Sequence, residues 1–205
     1  MSKSTIVINL FGVPGAGKST GAAYIFAKLK MAGVNAELIT EYAKDKVWEG
    51  NTCALKNQVY VFGKQYYKLD RCKDKVDVIV TDSPLILCAF YNTSELLGEN
   101  FNQMVANVYN SFNNQTYFVE RIKPYNPSGR LQTEEESNSM KQPLLNVLER
   151  YNIKYHKIEG NITFYDAIVS KALKDLAKNN ASVESAQNIE SAETASAIEP
   201  KSALL

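Results

Sequence analysis

The chain has few of the residues from which disulfide frameworks and zinc sites are built. Its 205 residues include three cysteines and one histidine, His156. Cys53, Cys72 and Cys88 share no C-x-x-C spacing, and their number is odd. This pattern argues against both a disulfide scaffold and a zinc site. We therefore expect a cytoplasmic protein with reduced thiols.

Long apolar runs and an excess of charge of one sign are also absent. No run approaches the roughly 18–20 apolar residues that a membrane span requires. Residues 1–4 lead directly into the first apolar segment, so no signal peptide is expected. The formal net charge is +1, which gives no global indication of a nucleic-acid or membrane partner. The sequence leaves the choice between a monomer and a homodimer open.

The most informative stretch is residues 5–20, in which an apolar strand pattern, Ile6–Phe11, leads into a glycine-rich segment and then a helical pattern. The segment has the spacing G-x-x-x-x-G-K-[ST] of a phosphate-binding P-loop. Glycines let backbone N–H groups surround a polyanion, and the positive end of the next helix points at the same phosphates. A glycine-rich turn without a ligand is the alternative. We expect ATP to contact the segment through Gly12, Val13, Pro14, Gly15, Ala16, Gly17, Lys18, Ser19 and Thr20.

Three side chains have roles that follow from their chemistry. Lys18 would reach the β- and γ-phosphates, and the Ser19 hydroxyl would ligate Mg²⁺. Asp82 ends the run Val-Ile-Val-Thr-Asp, which is similar to a Walker B strand whose carboxylate holds Mg²⁺ directly or through water. An aspartate that only caps the next turn is the alternative.

Strand and helix patterns alternate along the chain, which predicts a parallel sheet covered on both faces. The predicted strands are 6–11, 34–40, 76–81, 116–122 and 154–158, and the predicted helices are 18–32, 54–74, 99–112, 133–151 and 163–178. In the second helix we expect an inward stripe that includes Val59 and Phe62, and Thr133 with Glu136 predicts a capping box. Residues 179–205 lack aromatic residues and are rich in Ala, Ser, Glu and Asn, so we predict a disordered tail after a domain of residues 1–178.

Further candidate residues lie at strand ends. Glu41 follows the second strand, where its carboxylate could accept a proton from an incoming hydroxyl; a solvated glutamate at a helix start is the alternative. Arg121 and Arg130 flank a polar loop that could close as a lid and stabilise developing charge, unless they are ordinary surface arginines. Gln65, with nearby tyrosines, could contact a nucleobase.

The signatures of other P-loop classes are missing. The chain has neither the N-K-x-D nor the D-x-x-G motif of GTPases, and Ser83 rather than glutamate follows Asp82, unlike a water-activating ATPase. A single small domain with a P-loop and an arginine-bearing lid remains. That form favours a small-molecule kinase.

Four segments together resemble P-loop nucleoside and nucleotide kinases, the class of thymidylate kinase, the deoxynucleoside kinases and the ribosylnicotinamide-kinase domain. They are residues 12–19, Thr-Glu-Tyr-Ala-Lys at 40–44, Thr-Asp-Ser-Pro at 81–84, and Arg-x-x-x-Tyr-Asn-Pro-x-Gly-Arg at 121–130. The resemblance spans residues 5–178 and is strongest to small bacteriophage kinases. It implies an α/β P-loop NTPase fold, a three-layer sandwich with a five-stranded parallel sheet. It also implies that Glu41 contacts the acceptor hydroxyl and that Asp82 lies near Mg²⁺.

One departure from these families concerns the acceptor. Related kinases have an arginine at the position of Ser83, and that arginine binds the phosphate or the sugar region of the acceptor. A thymidylate-kinase-like branch in bacteriophages phosphorylates 5-hydroxymethyluracil within DNA, on the way to hypermodified thymines, and a hydroxyl acceptor fits Ser83. That acceptor is our leading hypothesis. A kinase of free deoxynucleosides or nucleoside monophosphates is the first alternative, and a regulatory P-loop ATPase is the second.

Overall fold

The computed structural model describes residues 4–128 and 130–196, with side chains described throughout except at 52, 180 and 182–196. The strands are β1 Ile6–Phe11, β2 Ala36–Ile39, β3 Val78–Thr81, β4 Asn113–Glu120 and β5 His156–Glu159. The helices in the described ranges are α1 Lys18–Met31, α2 Tyr42–Trp48, α3 Thr52–Lys56, α4 Gln58–Asp70, α5 Leu87–Tyr91, α6 Gly98–Asn110, α7 Glu134–Ser139, α8 Lys141–Arg150 and α9 Ile162–Ser196.

The five strands form one parallel sheet in the order β2-β3-β1-β4-β5. Strand β1 lies at the centre, where Ile6 pairs with Val78 of β3 on one side and with Asn113 of β4 on the other. Every residue of β1 is buried, as expected for a parallel strand covered on both faces. The centre of the sheet therefore leads directly into the P-loop.

Helices cover the sheet in two groups, which completes the three-layer α/β sandwich. Helix α1 packs against α9 and against β1, β2 and β3. Helix α5 packs against α4, α6 and α8, and α6 contacts β4. The predicted five-stranded parallel sheet with flanking helices is confirmed.

The predicted helix over 54–74 is divided. Asn57 ends α3, and its side chain caps α4 by accepting a hydrogen bond from the Tyr60 N–H at 3.1 Å. This break changes the helical phase, so Val59, predicted to face inward, is 48% exposed, whereas Val61 is buried. The helix over 133–151 is likewise divided at Met140. The predicted capping box of Thr133 and Glu136 is present.

The last helix extends beyond its predicted end. Composition predicts disorder from Asn179, whereas the backbone of α9 is helical as far as Ser196. Residues 179–196 contain no proline or glycine and are rich in alanine and glutamate, which tolerate or favour helix. The remainder of the predicted tail, 197–205, lies outside the described residues.

Two expectations from composition concern cysteines and membrane spans. Cys53, Cys72 and Cys88 are all free thiols, as predicted. In the part of the chain that the structure describes, no helix combines the length and the apolar character needed to cross a membrane.

Candidate active site

The P-loop joins the central strand to α1 and uses backbone conformations that favour glycine. Gly17 caps the N-terminus of α1 with φ 96° and ψ 9° in the left-handed region, where a side chain would be strained. Gly15 has φ +81°, and a Cβ added there would lie 2.9 Å from Cδ2 of Tyr125. The loop therefore excludes side chains at both positions.

Lys18, the first residue of α1, bends back across the loop. Its Nζ donates hydrogen bonds to the backbone carbonyls of Gly12 at 2.9 Å and Val13 at 3.1 Å. Burial lowers the pKa of Lys18, while the nearby Glu41 and Asp82 act in the opposite direction. The ammonium group is thus held at the loop and faces the two carboxylates that the sequence singled out.

Those carboxylates meet because β2 and β3 are neighbours in register, with Ile39 opposite Thr81. Asp82 is 4% exposed, and its Oδ1 accepts the backbone N–H of Glu41 at 3.1 Å. Burial raises the pKa of Glu41, and Asp82 raises it further, while Lys18 opposes the shift. Glu41 stands at the N-cap of α2 but makes no capping hydrogen bond with its side chain. Its carboxylate faces the site rather than the helix start.

Gln65, which we predicted to contact a nucleobase, has another role in the structure. It is 2% exposed. Its Oε1 accepts the Tyr42 N–H at 3.1 Å, and its Nε2 donates to the Ser83 carbonyl at 3.4 Å. The amide therefore joins α4 to the residues that follow Glu41 and Asp82. It supports the site and is not free to pair with a base.

The loop between β4 and α7, residues 121–132, contains both candidate arginines. Arg121 donates to Oδ1 of Asn138 and forms an ion pair with Glu134 at 3.3 Å, and its side chain is 11% exposed. The ring of Tyr125 is in cation–π contact with both guanidinium groups, with its centroid 5.0 Å from Cζ of Arg121 and 5.6 Å from Cζ of Arg130. From the sequence, Tyr125 was recognised only as part of the segment 121–130, and no role was predicted for its ring. Gly129 lies outside the described residues.

This loop, which we call the lid, is docked on the P-loop. The Tyr125 ring occupies the space beside Gly15, and Ser137 Oγ, fully buried at the start of the following helix, donates to the Pro14 carbonyl at 2.8 Å. Burial is the main cause of the lowered pKa of Lys18, and the positive charge of Arg130 acts in the same direction. One nitrogen of Arg121, Nη1, is buried without a hydrogen-bond partner among the described residues.

Residues from the C-terminal part of the chain support the P-loop from the other side. A Cβ at Gly160, just after β5, would lie 2.6 Å from the Ala16 carbonyl oxygen. Tyr165 in α9 donates its hydroxyl to the Gly17 carbonyl at 3.3 Å. Its ring also packs on Gly21, where an added Cβ would meet ring atoms at 2.6 Å. No sequence motif signalled these contacts.

A cavity of about 250 Å³ lies at the carboxyl ends of β4 and β5. It adjoins the P-loop at Val13 and the lid at Arg121. Its lining consists of Val13, Phe118, Val119, Glu120, Arg121, Ile122, Asn138, Lys141 and Glu159. This edge is where open α/β sheets bind ligands.

The donor set fits a magnesium ion that arrives with a nucleotide. Asp82 offers a buried carboxylate with one oxygen used by the Glu41 N–H, and Ser19 is exposed at the second position of α1. Within residues 4–128 and 130–196, no group of three or more His, Cys, Asp or Glu side chains could hold a metal by itself. Mg²⁺ commonly takes one or two protein ligands together with water and substrate phosphates.

Fold and site together define an α/β domain of the P-loop type. The chain belongs to the AAA domain family AAA_28, which matches residues 7–163 and thus includes the P-loop, Glu41, Asp82 and the lid. No curated protein matches the chain.

Solved structures share the fold at low sequence identity. The NadR protein in complex with NR superposes with a TM-score of 0.61 and 15% identity over 84% of this chain, which spans 49% of that one. Deoxyadenosine kinase from M. mycoides, with bound dATP, gives 0.52 and 19%, covering 82% of this chain and 99% of that one. Thymidylate kinase from Ehrlichia chaffeensis gives 0.53 and 14%, with 83% and 98% covered. The chain therefore has the fold of P-loop nucleoside and nucleotide kinases.

Proposed function

We propose that the protein is an ATP-dependent kinase that transfers the γ-phosphate to a hydroxyl group of a nucleoside-type acceptor. The observation that carries the proposal is the meeting of Lys18, Glu41 and Asp82 at one edge of the sheet. Glu41 and Asp82 are joined by a 3.1 Å hydrogen bond from backbone to carboxylate, and both act on Lys18. Positioning and charge stabilisation at such a site account for most of phosphoryl-transfer catalysis.

Lys18, Ser19 and Asp82 would each have a distinct role in binding the phosphate donor. The P-loop backbone and Lys18 would bind the phosphates, and the Lys18 ammonium would exchange its two carbonyl partners for phosphate oxygens. Ser19 and Asp82 would hold Mg²⁺, which when bound neutralises charge on the β- and γ-phosphates. The cavity at the ends of β4 and β5 would receive the base of the nucleotide.

On the acceptor side, Glu41 would orient the attacking hydroxyl and take its proton. Burial, the largest cause of its raised pKa, makes the ionised carboxylate a better proton acceptor. Arg121 and Arg130 would add positive charge over the transferred group and, with the lid docked, exclude water. The unpartnered Nη1 of Arg121 is a donor available for that purpose.

The narrower proposal concerns the acceptor itself. Ser83 follows Asp82 where related kinases carry a phosphate-gripping arginine, and its backbone is engaged by Thr81 Oγ1 and Gln65. This arrangement favours a hydroxyl acceptor without a terminal phosphate, and the 5-hydroxymethyl group of 5-hydroxymethyluracil in DNA is the acceptor we propose. The fold shared with deoxyadenosine kinase and thymidylate kinase supports the second candidate, a free nucleoside or nucleotide.

Transfer of label from γ-labelled ATP tests the proposal. The acceptors are DNA containing 5-hydroxymethyluracil, DNA of the same sequence containing thymine, free deoxynucleosides and nucleoside monophosphates. Label in the hydroxymethylated DNA alone supports the narrower proposal, and label on small molecules alone refutes it in favour of the second candidate. Release of phosphate that no acceptor affects would refute the kinase and point to a regulatory ATPase.

A further inference from the structure

Three lysines lie over two tyrosine rings on the helices next to Glu41. Nζ of Lys46 and of Lys68 are 5.3 and 5.6 Å from the centroid of the Tyr42 ring, and Nζ of Lys64 is 5.5 Å from that of Tyr60. The two rings meet edge to face at 5.7 Å, with their hydroxyl oxygens 2.6 Å apart. We call these five residues the lysine–tyrosine surface.

The surface is partly open to solvent, because Tyr60 and Lys64 are exposed whereas the Lys46 side chain is only 16% exposed. It also carries unneutralised positive charge. Tyr60 is 40% exposed, and Tyr67, seven residues further along the same face of α4, is 67% exposed. Lys46 pairs with Glu49 at 2.5 Å, but no ion pair involves Lys64 or Lys68 in the part of the chain that the structure describes. The helices α2, α3 and α4 together carry five lysines, Lys44, Lys46, Lys56, Lys64 and Lys68, against two aspartates, Asp45 and Asp70.

The spacing on α4 arranges rings and charges in a row. Tyr60, Lys64 and Lys68 are four residues apart and therefore share one face of the helix, with about 6 Å along the axis between successive members. The row reaches Tyr42 through Lys68, and Tyr42 directly follows Glu41. The surface thus leads to the carboxylate that we assign to the acceptor.

We propose that the lysine–tyrosine surface, with Tyr67, binds a single-stranded polynucleotide segment. Lys64 and Lys68 contact its phosphates, and Tyr60 and Tyr67 stack on its bases. Aromatic rings interleaved with basic side chains are the combination that binds single strands without sequence preference. An anionic membrane is disfavoured because the exposed side of α4 alternates Val59 and Tyr60 with Gly63 and Lys64 and offers no continuous apolar face. That the bound strand carries the acceptor nucleotide rests on the proposed function; the binding itself does not.

Fluorescence anisotropy with a labelled single-stranded oligonucleotide of about 15 nucleotides tests the proposal, in the absence of ATP and over a range of salt concentrations. Each phosphate contact contributes about 0.7 to the slope of log K against log salt for single strands. The double variant Lys64→Ala/Lys68→Ala should therefore bind more weakly, with a slope smaller by about 1.4. Tyr67→Ala should weaken binding about five-fold or more at every salt concentration.

The matched control is Lys30→Ala/Lys174→Ala, which removes two exposed lysines from α1 and α9 and should bind as the unmodified protein does. The proposal is wrong if the unmodified protein does not bind the oligonucleotide at low salt, or if the control loses as much affinity and slope as the Lys64/Lys68 variant. It is also wrong if vesicles containing phosphatidylglycerol bind in a Lys64- and Lys68-dependent way and the oligonucleotide does not.

The outcome is separable from that of the kinase proposal. Lys18→Ala should bind the oligonucleotide normally, because Lys18 lies outside the surface. Normal oligonucleotide binding without label transfer to any acceptor would support the binding role of the surface and refute the kinase. Label transfer to free nucleosides without oligonucleotide binding would support the kinase and refute the proposed polynucleotide-binding surface.

Discussion

Replacing Tyr125 with leucine should destabilise the folded conformation of the lid. The ring makes two cation–π contacts, at 5.0 Å to Arg121 and 5.6 Å to Arg130. Such contacts are worth about 0.5–1 kcal/mol when exposed and about 2 kcal/mol when desolvated. The Arg121 side chain is 11% exposed, so its contact belongs near the upper value, and we take the lower value for the contact of Arg130. We therefore expect the folded conformation of the lid to lose about 2–3 kcal/mol of stability, or roughly 30- to 150-fold in its local equilibrium constant.

Amide hydrogen exchange of peptides covering residues 122–132 measures this change without knowledge of the substrate. The Arg130 N–H donates to the Pro127 carbonyl at 3.1 Å. This amide should exchange roughly 30- to 150-fold faster in the leucine variant, because it exchanges only when the lid opens locally. Amides inside α1 should keep their protection, because they do not depend on the lid.

Tyr125→Phe is the matched control. It keeps the ring in contact with the two arginines and removes only the hydroxyl, which donates to the Gln132 carbonyl, for a loss of about 1 kcal/mol. Lid amides should therefore exchange only about five-fold faster. If phenylalanine and leucine have equal effects, the hydroxyl rather than the ring holds the lid. If neither changes the exchange, the reasoning from the arginine contacts is refuted.

Three further substitutions test the site and its support. Lys18→Ala should reduce label transfer by about 10² or more, and unchanged transfer in a folded variant would remove Lys18 from the mechanism. Glu41→Gln should lower turnover by about 10² or more while nucleotide affinity, measured with a fluorescent ATP analogue, stays nearly constant; full activity would contradict the assignment of the base. Gly21→Ala should lower the free energy of unfolding by about 1–2 kcal/mol, because overpacking on the Tyr165 ring, 2.6 Å from the added Cβ, outweighs the gain in helix propensity. Gly63→Ala, in α4 with nothing within 4 Å of the added Cβ, should instead stabilise by up to about 1 kcal/mol, and equal denaturation midpoints for the two variants would contradict the packing argument.

The sequence was sufficient for features that depend on local patterns. Strand β1 has the predicted bounds, Ile6–Phe11, because a continuous apolar run ends at a glycine-rich motif of fixed spacing. The approach of Glu41 to Asp82 follows from the rule that parallel strands end at one edge of the sheet. These predictions needed no knowledge of side-chain packing.

Features that depend on contacts between distant segments could not be predicted. The short helices α2 and α5, of seven and five residues, are too short to give a clear period. We predicted that Gln65 contacts a nucleobase, because an amide can form hydrogen bonds with the edge of a base. In the structure its amide instead forms hydrogen bonds with the backbone of Tyr42 and of Ser83. Ser137 and Tyr165 support the P-loop across long sequence separations, for which a single sequence contains no signal.

The contact between Tyr165 and Gly17 has a consequence for the synthesis of the protein. The two residues are 148 positions apart, so at about 5–20 residues per second a ribosome needs roughly 7–30 seconds to add the residues between them. During that interval the nascent chain already contains the whole P-loop sequence but lacks Gly160 and Tyr165, against which the loop is packed. A nucleotide bound as we propose would therefore stabilise the completed fold by mass action, because the P-loop lacks these packing partners until Tyr165 has been added.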